Sequence, residues 1–349
     1  MPANNRFELD LGAFDSIVER DLPQPHQINY EVTRDTIRTF AWAIDDYNAL
    51  YLDDDYARQT RWGTRIAPPG YLASHGSSAW LARHVPPVVD EEGSTLSELV
   101  HASEEWRFLR PVRPGDHVLS HSKISRAEAK VGSRVGASVR VDMLTRYFNH
   151  RGEDTAVRVD TCFLLNKTKA GAGSVIGYPP IENGATTRNV IQPTRFPGTF
   201  SVPGQRAYPQ RYFEDVSIGD AVTPLHIPPV MLQNLARFCA ATLASGVDET
   251  GGPVPGSALP DAYVFGHLRV PWFGTMITAW GGPGTWIQRL AQRDRSWLLI
   301  GFSVDCRGSV VAKSGDPSDP WIDLALECVN ELGHVTNVGT SRVTLPVRQ

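Results

Sequence analysis

Cysteine is scarce in this chain: Cys162, Cys239, Cys306 and Cys328 are the only four among 349 residues. No two form a CxxC pair, and each has apolar neighbours, as in Cys162-Phe163-Leu164. That pattern argues against a zinc ribbon or a redox dithiol and suits buried free thiols in a reducing compartment. Excess charge is missing as well. Lys and Arg total 34 against 38 Asp and Glu, for a formal net charge of −4. No basic field is available to hold nucleic acid or an anionic membrane. Long apolar runs are also lacking, and residues 1–10 have no apolar signal core. A cytoplasmic protein with no nucleic-acid or membrane partner is expected.

What is present reads as two ordinary globular halves. The hydrophobic fraction is 41% and the charged fraction 21%, and the length suits two average domains. Around residues 167–205 the chain turns to Gly, Pro, Ser and Thr with little hydrophobic periodicity, as a connection would. The division expected is residues 1–168, a linker over 169–206, and residues 207–349. In the first half, Thr33 can cap a helix burying Ile37, Phe40, Ala41 and Ile44, and a second helix should run over 70–84. Strands follow near 99–109, 118–125, 135–148 and 156–165. The second half repeats the order, with helices from about 229 and after Gly266 and strands near 297–305, 321–329 and 335–345. Gly281-Gly282-Pro283-Gly284 must interrupt or end the second of these helices. Asn149-His150-Arg151-Gly152 and Asn330-Glu331-Leu332-Gly333 place one hairpin signal at the last turn of each half. Pro114-Gly115-Asp116 pairs in the same way with Ser314-Gly315-Asp316. A duplicated α+β unit follows, a helix with a curved antiparallel sheet around it, twice.

Three stretches then carry a family resemblance. Asp45-Asp46-Tyr47-Asn48-Ala49-Leu50-Tyr51, with Asp53 and Ala57 downstream, resembles the MaoC-like hydratase motif G-D-x-N-P-x-H-x-D-x-x-x-A. Trp62-Gly63-Thr64-Arg65-Ile66-Ala67-Pro68-Pro69-Gly70 is similar to the family's approach to its central helix. Phe108-Leu109-Arg110-Pro111-Val112-Arg113-Pro114-Gly115-Asp116 is similar to its F-x-R-P-V-x-P-G-D strand entry. In the second half, residues 259–267, ending Phe265-Gly266-His267, resemble the segment before the second central helix more weakly. The resemblance implies a double hotdog fold, two curved antiparallel sheets each wrapping a central helix.

It also implies a hydratase or dehydratase acting on enoyl thioesters of CoA or a carrier protein, with no cofactor and no metal. Asp46, Asn48 and Tyr51 fall on the catalytic motif, and Gly70 and Gly266 on the two helix entries, where backbone amides can approach a thioester carbonyl. His267 and His75 are substrate-side candidates, each weighed against an ordinary hydrogen-bonded structural histidine. The departure is at Tyr51. The family places its histidine there, and a phenol with a pKa near 10 donates a hydrogen bond but is no neutral-pH base. Residues 244–249 in the second half are a further, shortened trace of the motif. With no complete acid/base pair, other readings stay open: a hotdog isomerase, cyclase or thioesterase, or a non-catalytic acyl-binding subunit of a hotdog complex. A homodimer or a hotdog heteromer is the expected assembly. Asp53-Asp54-Asp55 lacks calcium-loop spacing and reads as an acidic turn.

Overall fold

The computed structural model describes residues 9–24, 27, 29–76, 78–90, 92–132, 135–166, 204–242 and 263–348. The expected linker up to residue 203 and the 244–249 stretch lie outside the described residues. Among the described residues no helix is long and apolar enough to cross a membrane.

Local sequence sets the first half's opening. Thr33 starts α1 (Arg34–Ala43) with a capping box: its hydroxyl accepts the Thr36 N–H at 3.0 Å, and its own N–H donates to Thr36 Oγ1 at 2.9 Å. Ile37, Phe40 and Ala41 then bury one face. The helix stops on Asp45, whose φ of 57° is left-handed. Asp45 N–H reaches Trp42 O at 3.2 Å and Asp46 N–H reaches Ala41 O at 2.8 Å, the paired bonds of a Schellman ending. Glycine usually takes that position, and the family motif has glycine there. Here Arg237 anchors the aspartate with two contacts of 3.1 and 3.0 Å. Two short helices follow, α2 (Ala49–Leu52), capped by the Asn48 side chain, and α3 (Asp54–Arg58), capped by Asp53.

The strands are β1 (Val88–Val89), β2 (Thr95–Phe108), β3 (Val118–Gly132), β4 (Gly136–Asn149), β5 (Asp154–Asn166), β6 (Ala221–Ile227), β7 (Trp286–Asp294), β8 (Val304–Lys313), β9 (Trp321–Asn330) and β10 (Val335–Thr344). They form one sheet in the order β3-β4-β5-β2-β7-β10-β9-β8-β6, with β1 on β2. Outward from the middle, β2-β5-β4-β3 mirrors β7-β10-β9-β8. The halves therefore join by antiparallel pairing of β2 and β7, Ser103 opposite Arg293 and Arg107 opposite Arg289.

The repeated hairpin is real in atomic detail. Asn149 Oδ1 accepts from the N–H groups of Arg151 and Glu153 at 3.0 Å each, and Gly152 has φ 76°. Asn330 Oδ1 accepts from Leu332 and His334 at 3.1 and 2.9 Å, and Gly333 has φ 81°. The other proposed pair does not correspond. Pro114-Gly115-Asp116 precedes β3, whereas Ser314-Gly315-Asp316 follows β8, the strand that mirrors β3.

Two elements differ from expectation. The strand expected over 297–305 falls between two: β7 (Trp286–Asp294) ends before it and β8 begins only at Val304. Ile287, Leu290 and Ala291 have helical spacing, and pairing with β2 and β10 overrides it. The helix expected over 70–84 is two 3-10 segments, Tyr71–Ser74 and Ser78–His84. Gly70 turns left-handed at φ 85°, and a Cβ on Gly76 would stand 1.9 Å from Ser120 Oγ. That close approach needs glycine at 76.

The second half does have its helix. α4 (Leu232–Thr242) packs Phe238 on Phe40 of α1 at 6.4 Å between ring centres. α5 (Arg269–Gly281) is buried along nearly its whole length and ends at the glycine-rich stretch, as expected. Phe273 lies against β10, where a Cβ on Gly339 would come within 3.0 Å of its ring. The first half's Pro69 and Gly70 sit directly on this helix: a Cβ on Gly274 would be 2.7 Å from Pro69 Cβ, and one on Gly70 3.1 Å from Pro271 Cγ.

Gly274→Ala provides a test by sign. In a free helix the change stabilises by about 1 kcal/mol. Here the added methyl meets Pro69, and a loss of about 1–3 kcal/mol is expected in denaturant unfolding. Unchanged or increased stability would mean that the halves do not pack this closely.

Candidate active site

A small cleft, about 50 Å³ in volume and open to solvent, lies where the halves meet. The first half supplies Tyr51, Gly70 and Phe108 to its wall, the second half Thr278, Trp286 and Ile287, and Arg110 is the charged residue along it. Such a mostly apolar cavity with few polar groups is the usual form of a small-molecule site. Trp62 of the first half braces the junction by donating its Nε1–H to Pro283 O at 2.7 Å.

Asp46 lies behind this wall rather than in it. The residue is 1% exposed and does not line the cleft. The Schellman ending of α1 turns it inward toward α5. Oδ1 accepts the Asn48 N–H at 3.0 Å, and Oδ2 accepts the Thr275 hydroxyl of the other half at 2.9 Å. Burial pushes the carboxyl up to about 6, although the Asn48 and Thr275 hydrogen bonds and the Arg206 charge pull the other way. Asn48 is structural in its contacts: its Oδ1 caps α2 through the Leu50 N–H at 3.0 Å. Tyr51 stands between this carboxylate and the cavity. Burial, then the nearby Asp46 charge, raises its phenol well above the ordinary range, while the Thr278 hydroxyl acts against that. It stays protonated at neutral pH and serves as a donor.

The other candidates are elsewhere. His75 ends the Tyr71–Ser74 turn, 1% exposed, with Nδ1 3.1 Å from Ser74 Oγ. Burial lowers it to about 4, so it is neutral, and it does not line the cleft. Gly266 and His267 sit at the two-fold-related place. Gly70 shares the lining of its cleft with Phe108 of β2 and Ile287 of β7. Gly266 is flanked by Asp294 of β7 and His101 of β2. There the apolar cleft is replaced by a polar cluster of His101, Glu104, Arg158, Asp160, His267 and Asp294. Burial alone would raise the Glu104 and Asp160 carboxyls, but the Arg158 guanidinium holds both below their usual range.

Of the sequence candidates, Tyr51 and Gly70 line the cleft with Asp46 and Asn48 packed behind them, whereas His75 stands apart and Gly266 and His267 belong to the polar cluster. Sequence reasoning missed Thr275 and Thr278, which α5 brings from the other half. It also missed Glu104, Arg158 and Asp160. Arg158 and Asp160 do leave a trace, two charges on one face of an apolar strand that also carries Ala156, Cys162 and Leu164.

Comparison with known proteins follows this division. The family model described as "FAS1-like, dehydratase domain region" matches residues 23–158. A UPF0336 protein of Thermobifida fusca is 33% identical over 118 residues, 33% of this chain and 71% of the relative. A probable enoyl-CoA hydratase alpha subunit of Thermomonospora curvata is 26% identical over 155 residues, 40% of this chain and 47% of its own. Among solved structures, a MaoC-like dehydratase superposes with TM-score 0.67 at 16% identity, covering 95% of this chain and 99% of the other. A Mycobacterium tuberculosis protein of double hotdog fold superposes at 0.59 with 11% identity, covering 93% and 97%.

Two mirrored halves of one antiparallel sheet, with a cleft where they meet, define a double hotdog protein of the α+β class. The chain belongs to the family of the UPF0336 proteins, to one of which it is similar over 118 residues, and its fold is the double hotdog of the solved MaoC-like dehydratase.

The raised Asp46 carboxyl makes a stability prediction whose sign is fixed. The folded state binds this proton more tightly than the unfolded chain, so the residue's contribution is complete below about 4 and lost as pH rises through about 6. Asp46→Asn, which removes the buried charge, should stabilise the protein by about 1–3 kcal/mol at pH 7 and by almost nothing at pH 4. Denaturant melts at the two pH values check it. An equal effect at both would place Asp46 in water.

Proposed function

We propose that the chain is an acyl-thioester hydratase or dehydratase, of the enoyl-CoA type, with Asp46 and Tyr51 at its centre. The observation that carries this is a buried carboxyl poised at about 6 immediately behind a protonated phenol in the wall of an apolar cleft. Matching a base to neutral pH is what abstraction of a proton from water, or from the carbon next to a thioester, requires. In this reading the acyl chain lies along Phe108, Trp286 and Ile287, and the thioester carbonyl approaches the bare backbone at Gly70. Tyr51 hydrogen-bonds the developing oxygen or the added water. The attacking water bonds to the β-carbon and gives its proton to Tyr51, which passes its own inward to ionised Asp46, held by Thr275 and the Asn48 N–H; the same path returns a proton to the α-carbon. Arg110 is the available partner for a phosphate of the carrier. The name of the T. curvata relative points the same way.

A non-catalytic acyl-binding subunit is the second reading. One observation favours it: Asp46 is sealed at 1% exposure, and the family's histidine is replaced by Tyr51.

The test is loss of the conjugated chromophore of crotonyl-CoA and longer enoyl-CoAs by the purified chain. Activity is expected, falling about 100-fold or more in Asp46→Asn and about 10-fold or more in Tyr51→Phe. It should also decline below a pH of about 6, as Asp46 takes up its proton. Saturable acyl-CoA binding without turnover would establish the second reading. Turnover indifferent to both substitutions would remove these residues from the chemistry.

A further inference from the structure

We propose that His101, Glu104, Asp160 and His267 form a binding site for one first-row divalent metal ion, of the zinc class, stapling the two halves beside the β2–β7 junction. One ligand atom from each of the four lies within 4.8 Å of every other. His267 Nδ1 is 3.1 Å from Glu104 Oε2 and 3.9 Å from Asp160 Oδ1, and His101 Nε2 is 3.7 Å from Asp160 Oδ1. Ligands sharing one ion at about 2.0–2.2 Å stand about 3–4.4 Å apart, so a closure of a few tenths of an ångström completes the set. Two imidazoles with two carboxylates suit zinc, manganese, iron, cobalt or nickel.

The surroundings are those of a ligand shell. His101 Nδ1 is 3.1 Å from Asp294 Oδ2. That contact turns the Nε2 edge of the ring inward, as outer carboxylates do for metal-binding histidines. Nε2 is buried and has no hydrogen-bond partner. Glu104 Oε1 is held from outside by Trp106 Nε1–H at 2.5 Å and Arg158 Nε at 3.1 Å, which leaves Oε2 facing in. A Cβ on Gly266 would come within 2.6 Å of His101 Nδ1, so the backbone closes this side. The side chains of His267 and His101, 29% and 17% exposed, give an ion its entry path.

Without an ion the cluster is frustrated at His267. Arg158 Nη2 donates toward its Nδ1 at 3.0 Å while Glu104 Oε2 faces the same nitrogen at 3.1 Å. A lone pair there satisfies the arginine and opposes the carboxylate, and a proton does the reverse. An ion between Glu104, Asp160 and His267 removes the conflict. Arg158 then keeps Asp160 Oδ1, already at 2.7 Å, and gives up His267. Charge agrees: Glu104, Asp160 and Asp294 face the single guanidinium of Arg158, while Arg269 stands one step out, bonded to Asn337 Oδ1 at 2.8 Å.

The experiment uses the full chain, purified without chelator. Plasma mass spectrometry should find about one equivalent of transition metal, or the stripped protein should take up one equivalent of added Co(II) with visible ligand-field bands. Chelation should lower the melting temperature and zinc restore it. His267→Gln should fold, by circular dichroism, but bind about tenfold or more weakly and lose the zinc-dependent rise. His226→Ala, an exposed control paired with Asp305, should behave as the parent. Absence of stoichiometric metal together with no melting response to zinc, manganese or cobalt would overturn the site. So would uptake that His267→Gln leaves unchanged.

Discussion

One contact across the junction organises the candidate site: the Thr275 hydroxyl of α5 on the Asp46 carboxylate, 2.9 Å away. Everything around it serves to bring these two together. The Schellman ending of α1 swings Asp46 inward, the Asn48 cap fixes the following turn, and Pro69 and Gly70 rest on α5 with no room for a larger residue at Gly274. The continuous β2–β7 pairing holds the register. A carboxylate here is costly to the fold, because burial resists its charge by more than its two hydrogen bonds repay. Such a cost without structural gain is characteristic of a functional group.

The two mirrored places at the junction have diverged. Around Gly70 the wall is apolar with one phenol, and the space is open. Around Gly266 the same backbone arrangement is filled by His101, Glu104, Arg158, Asp160 and Asp294. A duplicated fold needs only one working cleft, which frees the other to become an electrostatic clasp between halves.

Much of this was legible in the sequence, where local signals and tertiary demands agree. The Thr33 cap, the Asn149 and Asn330 hairpins and the stop at Gly281 are local chemistry, and each was readable as such. So was the cluster of Asp46, Asn48, Tyr51 and Gly70, because one short motif carries most of it. The failures have a common cause. Trp286–Asp294 has helical spacing and becomes a strand only through its partners. The 70–84 segment is two 3-10 turns, with Gly76 close against Ser120. Thr275, Thr278 and Glu104 belong to their sites through contacts more than a hundred residues away in sequence, which no local pattern announces.

The central claim is that Asp46 is held out of water against α5 with its charge suppressed. Carbon-13 NMR of aspartate-labelled protein reads this directly, with Asp46→Asn identifying the resonance. The account predicts one carboxyl carbon, absent from the variant, that titrates near a pH of 6. A resonance from Asp46 that titrates near 4, with the solvent-exposed aspartates, would contradict it.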